Sequence, residues 1–379
     1  MNHNGALVDH FELMNLLVSN YDTMQPTMIW GGPGLGKSDS VRQAGKVLAK
    51  IHGSEFEIID LRLLLLESSD LRGMPYVDSD DNCQWAIAPF LPKNKEGKGI
   101  IFLDELPAAS QQLMKAAYQL VWDRAVGEYT LPDGYLVVGA GNRISDRGGV
   151  NQMPTPLKNR FMHVEIDEGR IWTSWKDWAY KAGINDNVLG YLGFRQGSLY
   201  KFDTTYNAFP SPRSWEMVSH ACNTIADFNP VVPDILDMSP EKMREIIFRR
   251  KIEGLIGPGI AGEFHAFLKI REKLPSREDI LSGRPYTFDK DDVSIIYAIS
   301  TMLTSYFAAL AAAKKKPSNK EIECSLSFIE RIDKKEMQVI CIKDICAYGK
   351  VSTIINGPAG TAEMKQKLAG IFSSLKTFM

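Results

Sequence analysis

The chain has 379 residues, enough for two or three domains with cores of their own. With 44% hydrophobic and 24% charged residues and a formal net charge of −2, it reads as an ordinary globular protein without the global basic field that holds a nucleic-acid backbone. Its five cysteines (Cys83, Cys222, Cys324, Cys341, Cys346) are odd in number, far apart and without a C-x-x-C pair, which argues against a disulfide framework or a zinc site.

The first informative element is Thr27-Met28-Ile29-Trp30, a short apolar run that predicts a strand. Gly31-Gly32-Pro33-Gly34-Leu35-Gly36-Lys37-Ser38 follows and fills the pattern G-x-x-x-x-G-K-[ST]. Behind it, Val41, Ala44, Val47 and Leu48 recur at helical spacing over residues 38–50. Strand, glycine loop and helix together make a phosphate site. The glycines let backbone N–H groups turn inward around phosphate oxygens, Lys37 reaches the β- and γ-phosphates, and the Ser38 hydroxyl is placed to ligate Mg²⁺. A nucleoside triphosphate is therefore the expected ligand.

Residues 60–91 interrupt the alternation of strand and helix with Leu71-Arg72-Gly73-Met74-Pro75 and then a Trp85-Ala86-Ile87-Ala88-Pro89 strand. Next, Gly99-Ile100-Ile101-Phe102-Leu103 is apolar enough for a central parallel strand and ends in Asp104-Glu105. A carboxylate at such a strand end holds Mg²⁺ through water, and a second one beside it orients or deprotonates the attacking water. Asp104 is assigned to the metal and Glu105 to the water. A helix follows over residues 107–121, with Leu113, Ala116, Ala117, Leu120 and Val121 on one face. Residues 127–135 then read as a projecting hairpin closed at Asp133-Gly134. The strand Tyr135-Leu136-Val137-Val138-Gly139-Ala140 runs into Gly141-Asn142. That dipeptide alone also reads as a turn, but in a doubly wound sheet Asn142 stands at the ligand-facing strand end and is placed to hold the lytic water.

Beyond Asp167 the periodicity is helical over residues 171–182, 187–194, 214–225, 239–254 and 260–274, with breaks at Asn229-Pro230 and Gly257-Pro258-Gly259. After a polar stretch at 275–285 come helices over 291–315, near 320–348 and over 361–378. Residues 295–313 form the most apolar stretch. They carry Ser300, Thr301, Thr304 and Ser305, which suits a buried helix better than a membrane span. With no apolar leader at the N-terminus, a cytoplasmic protein without a membrane partner is expected.

The two nucleotide motifs, the strand ending in Asn142, Pro156-Leu157-Lys158-Asn159-Arg160-Phe161 and Pro210-Ser211-Pro212-Arg213-Ser214-Trp215 together resemble the AAA+ ATPases, and among them the MoxR-like group, over roughly residues 25–220. The resemblance implies an α/β P-loop core over residues 1–168, a helical lid over 169–280 and a helical C-terminal extension over 281–379. It nominates Arg160 as an arginine finger reaching a neighbouring subunit's nucleotide, with Arg143 and Arg147 as rivals. Arg213 becomes the lid arginine that contacts the γ-phosphate. It also implies a ring, expected as a hexamer, an insert at 60–91 facing a pore or client, and a separate protein partner, for which a von Willebrand factor A domain protein is the precedent. The reading is then an ATP- and Mg²⁺-dependent remodelling enzyme. Two alternatives share the core: a nucleotide-gated binding module with little hydrolysis, and a nucleic-acid motor, which no strongly basic segment or DNA-binding motif supports.

Overall fold

The computed structural model describes residues 5–53, 55–146, 151–233, 235, 238–358 and 360–373. The chain divides into two compact units, Met1–Ser174 and Trp175–Met379.

The first unit opens with β1 (Ala6–Val8) and α1 (His10–Thr23). Asp9 starts that helix through a capping box with Glu12, and Leu13 and Leu17 bury its inner face. Then come β2 (Thr27–Trp30), buried at all four positions, α2 (Lys37–His52) and β3 (Glu57–Arg62). The segment expected to interrupt the sheet holds α3 (Ser68–Arg72) and an antiparallel pair, β4 (Met74–Val77) with β5 (Cys83–Ala86). After β6 (Gly99–Asp104) and α4 (Gln111–Trp122) a second small pair, β7 (Ala125–Val126) and β8 (Tyr129–Thr130), leads to β9 (Tyr135–Gly141). The unit closes with α5 (Thr155–Lys158), β10 (Met162–Ile166) and the start of α6 (Ile171–Ala182).

Six strands form one parallel sheet in the order β1-β10-β2-β9-β6-β3. The sheet and its flanking helices make a P-loop α/β fold, as the motifs imply. Central strands of such a sheet are covered on both faces, which is why β9 is buried along its whole length and β6 at every position but the last. Trp30 of β2 pairs with Gly141 of β9, and Leu103 of β6 with Gly139. Three strand ends, those before the glycine loop, Glu105 and Asn142, therefore meet along one edge.

The hairpin expected at Asp133-Gly134 is corrected. The turn is Gly127-Glu128, where Gly127 takes φ +59°, and the pair does not project: Val126, Tyr129 and Leu131 are buried in the core beside α4. Asp133-Gly134 instead turns the chain into β9, with the Tyr135 N–H donating to the Pro132 carbonyl at 3.2 Å. Strand β9 has parallel partners on both sides and no edge left for an antiparallel one.

The described elements of the second unit are helical. After the remainder of α6 come α7 (Asp186–Phe194), α8 (Pro212–Thr224), α9 (Pro240–Ile256) and α10 (Pro258–Arg271), then α11 (Arg277–Ser282), α12 (Val293–Ala312), α13 (Asn319–Glu330), α14 (Lys335–Gly349), α15 (Val351–Asn356) and α16 (Ala362–Ser373). Proline in the first turn after a serine cap starts α8 and α9. Tyr191, Trp215 and Phe264 pack edge to face or tilted in one core, and Ile296, Leu303, Phe307, Phe328 and Ile342 belong to another. Helix α12 is long and apolar enough to cross a membrane by length and composition alone, with a mean hydropathy of 1.6. In the fold its buried positions include Ser300 and Thr301 together with Ile299, Leu303 and Phe307, a pattern that core helices of folded units share.

Lys176 of α6 and Asp344 of α14 pair at 2.6 Å with 16% of each side chain exposed. Burial pushes the Asp344 carboxyl above the usual carboxylate value although the Lys176 ammonium pulls it down. Lys176→Met leaves that carboxylate desolvated and alone, so it is expected to destabilise this unit by about 2–3 kcal/mol. The double replacement Lys176→Met with Asp344→Leu is expected to recover most of the loss; urea midpoints of the three proteins check this.

Candidate nucleotide site

The loop between β2 and α2 owes its shape to glycine. Gly34 and Gly36 take φ +78° and +83°, values that side-chain-bearing residues seldom adopt, and Gly36 is the N-cap of the 16-residue α2. The loop's N–H groups and the positive end of the helix dipole thus serve one spot. Lys37 is 9% exposed and donates to the Gly31 carbonyl at 2.8 Å, the Gly32 carbonyl at 2.9 Å and Asn142 Oδ1 at 2.9 Å. Its ammonium therefore spans the loop and reaches the end of the next strand. Ser38 Oγ donates to Asp104 Oδ2 at 2.8 Å, which brings the hydroxyl and carboxylate of the two motifs together.

Glu105, one residue past β6, is exposed and sits at φ +57°, ψ +31°. A left-handed glutamate is strained by about 1–2 kcal/mol and persists only where its surroundings fix it. Those surroundings are visible. Leu106 and Pro107 are buried against β9 at its two glycines: a Cβ on Gly141 would collide with Pro107, and one on Gly139 would come within 3.3 Å of Leu106. The missing side chains of β9 let the turn press in, and the turn in turn fixes Glu105 at the sheet edge.

Hard divalent cations take oxygen ligands, and Ser38 Oγ with the Asp104 carboxylate is such a donor pair. Among the described residues there is no group of three or more His, Cys, Asp or Glu side chains able to hold a metal by themselves.

The arginine candidates separate. Arg143 is committed within the unit: Nε bonds Asp146 at 3.1 Å, Nη1 bonds Glu165 at 3.1 Å and Nη2 bonds Glu168. Burial lowers its pKa, but the hydrogen bonds to Asp146 and Glu168 outweigh this and the net shift is upward. Arg160 lies over the rings of Tyr118 and Trp122, 4.7 Å from each centroid, and donates to the Pro156 carbonyl at 3.0 Å. Trp122 is 59% exposed, so this arginine stands on an open aromatic face. Arg147 lies outside the described residues. Arg213, in the second unit, is exposed in the first turn of α8, whose capping box joins Ser211 and Ser214.

The sequence reading missed His10, whose Nε2 lies 2.6 Å from the Leu35 carbonyl in the glycine loop. The signal that could have found it is Asp9-x-x-Glu12, a helix start that places residue 10 in a first turn.

No protein-family model matches the chain, and no curated protein is similar to it in sequence. Among solved structures, two mutants of Thermotoga maritima RuvB are similar at 14% and 13% identity and a TM-score of 0.34, covering 80% of this chain and 81% and 86% of theirs. NtrX from Brucella abortus in complex with ADP is similar at 12% identity and a TM-score of 0.32, over 97% of this chain and 67% of that one. At that distance the site's chemistry rests on this chain's own residues.

Proposed function

We propose that this chain is a Mg²⁺-dependent ATPase of the AAA+ type that works as a MoxR-like ring and remodels or matures a protein partner. The observation that carries the proposal is the convergence of Lys37 with Asn142 and of Ser38 with Asp104, with Glu105 held at the next position. In this reading the loop's N–H groups and Lys37 bind the triphosphate, and Asn142 orients water beside it. Glu105 takes the proton from that water as it attacks. Ser38 and Asp104 would hold a divalent ion, which when bound would supply positive charge to the phosphate oxygens. Arg213 belongs to the helical lid and Arg160 to a neighbour's site.

The insert supports the client-facing part. Met74, Tyr76, Val77 and Ile87 on and beside the β4–β5 pair are 72%, 51%, 68% and 45% exposed, an apolar surface of the kind that marks a protein contact. One observation favours the alternative of a nucleotide-gated module with slow hydrolysis: Arg160 is held by its own Tyr118 and Trp122. The test is ATP turnover per mole of full-length protein over a wide concentration range with Mg²⁺. Specific activity that climbs and then levels supports completion of the site by a neighbour. Turnover that is absent at every concentration, with ATP still bound, supports the gated module.

For the finger, Arg160→Ala is expected to lower turnover of the assembled protein about a thousandfold with ATP affinity unchanged. Normal turnover by that variant in a verified oligomer would remove Arg160 from the role.

A further inference from the structure

His10 is the first helical residue of α1, and its imidazole lies between the glycine loop and the start of α6. Its backbone is fixed from several sides. Asp9 and Glu12 close the capping box, β1 pairs with β10 just before it, and Arg170 bonds Glu12 at 2.6 Å and Asp9 at 3.4 Å. One ring nitrogen, Nε2, is 2.6 Å from the Leu35 carbonyl, and the other, Nδ1, is 3.0 Å from Ser174 Oγ.

These partners decide the tautomer. A carbonyl only accepts, so Nε2 carries the proton and donates to Leu35. In the neutral ring Nδ1 is then the acceptor; Ser174 Oγ lies 3.0 Å from it and also 3.0 Å from the Ile171 carbonyl, to which its one proton donates. Burial lowers the His10 pKa from its ordinary 6.5, outweighing the Leu35 hydrogen bond and the carboxylates of Asp9 and Asp39 that raise it, so the ring is neutral at pH 7.

The peptide unit that follows Leu35 is planar and trans. Its C=O and N–H therefore point in opposite directions, and whatever holds the Leu35 oxygen also aims the Gly36 N–H. Gly36 itself has no side chain to restrain its rotation, and its Cα hydrogens face the ring: a Cβ there would lie 3.5 Å from His10 Nε2. The P-loop pattern calls for glycine at this position but supplies nothing to lock the preceding peptide plane. His10 supplies it from 25 residues away in sequence.

We propose that His10 is a positioning residue for nucleotide binding: by holding the Leu35 carbonyl it turns the Gly36 N–H toward the nucleotide's phosphates. The proposal rests on the nucleotide reading of the loop. It assigns a binding contribution to a residue outside the G-x-x-x-x-G-K-[ST] motif, and it depends on Nε2 alone. The Leu35 carbonyl sets the tautomer, and Ser174 is secondary.

The test is titration of the full-length protein with ADP in the absence of magnesium, using His10→Gln and His10→Asn. The Gln amide nitrogen stands where Nε2 stands and can donate to Leu35; the Asn amide nitrogen stands where Nδ1 stands and cannot. Loss of one oriented hydrogen bond corresponds to about a five- to tenfold weakening. His10→Asn is therefore expected to bind ADP five- to tenfold more weakly, His10→Gln within about twofold of wild type. In turnover, His10→Asn should raise KM for ATP by the same factor with kcat nearly unchanged. A merely structural histidine would not be rescued by Gln and spoiled by Asn. If His10→Asn binds as tightly as wild type, or His10→Gln as weakly as His10→Asn, the proposal is overturned. Should His10→Asn fail to fold, His10→Ala takes its place as the variant that cannot donate: about a five- to tenfold loss there with near wild-type affinity in His10→Gln upholds the role, and equal affinities in the two variants overturn it. Wild-type protein that binds no ADP overturns the nucleotide reading itself, an outcome distinct from the other two.

Discussion

Glu105→Gln is expected to abolish most ATP turnover, by about a hundred- to ten-thousandfold, while ATP affinity stays within about twofold of wild type. The amide keeps the size and the hydrogen-bonding reach of the carboxylate and loses only its capacity to accept a proton. Position 105 is well suited to show that difference cleanly. Its backbone is held by the burial of Leu106 and Pro107 against Gly139 and Gly141, and none of these contacts involves the side chain that is changed. Asp104, by contrast, is bonded to Ser38, and its own backbone neighbour, the Glu105 N–H, donates to Asp104 Oδ1 at 3.0 Å. A change at Asp104 therefore disturbs binding and chemistry together, which makes it the poorer probe. Glu105→Gly sharpens the result. Glycine adopts φ +57° without strain, so it is expected to match or exceed wild-type thermal stability, by up to about 1 kcal/mol, with turnover still lost. A dead enzyme that is no less stable would place the strain at the water-activating carboxylate. Full turnover by Glu105→Gln would remove Glu105 from the chemistry and leave hydrolysis to Asn142 and the bound ion.

The parts of this site that were legible in the sequence are those carried by local pattern. The strand before Gly31, the glycines and the helix after Lys37 are contiguous, and the two other strands declare themselves by uninterrupted apolar runs because both faces of the sheet are covered. What stayed hidden depends on contacts far apart in the chain. Arg143 stands as a rival to Arg160 for the finger until it is seen to bond Glu165 and Glu168, 22 and 25 residues on. The turn at Gly127-Glu128 lost to Asp133-Gly134 in the sequence because the latter is the stronger hairpin dipeptide. The contest was decided by the parallel partners of β9. Strand β3 alternates too weakly to stand out: one of its six residues, Leu61, is buried. Helix α1 was readable from its capping box, yet nothing in the sequence ties its first residue to Leu35. That contact exists only once β1 is added to the edge of the sheet.

Lys37→Met is expected to weaken ATP binding by about ten- to a hundredfold, the cost of losing charge-assisted hydrogen bonds to phosphate. Methionine matches the length of the lysine stem, so the 9%-exposed channel in which the side chain lies remains filled and the change is confined to the charge. The partners of the ammonium make a further result predictable. Lys37 Nζ bonds Gly31 and Gly32 carbonyls on the loop and Asn142 Oδ1 on the adjoining strand, so loop and strand end are tied through one group. Under the proposed function Asn142→Ala therefore loses two things in wild-type protein, its contact with the attacking water and its hold on Lys37; in the Lys37→Met background it loses only the first. The two substitutions should be non-additive in ATP binding, the double variant weaker than Lys37→Met by clearly less than Asn142→Ala is weaker than wild type. Calorimetric or fluorescence titration of the four proteins measures the coupling. Strict additivity would mean that the 2.9 Å bond contributes nothing once nucleotide is present, and that Asn142 acts on water alone. Unchanged affinity in Lys37→Met would count against the loop as a phosphate site, because Lys37 is the cation that the described residues bring to the loop, Asp104 and Asn142.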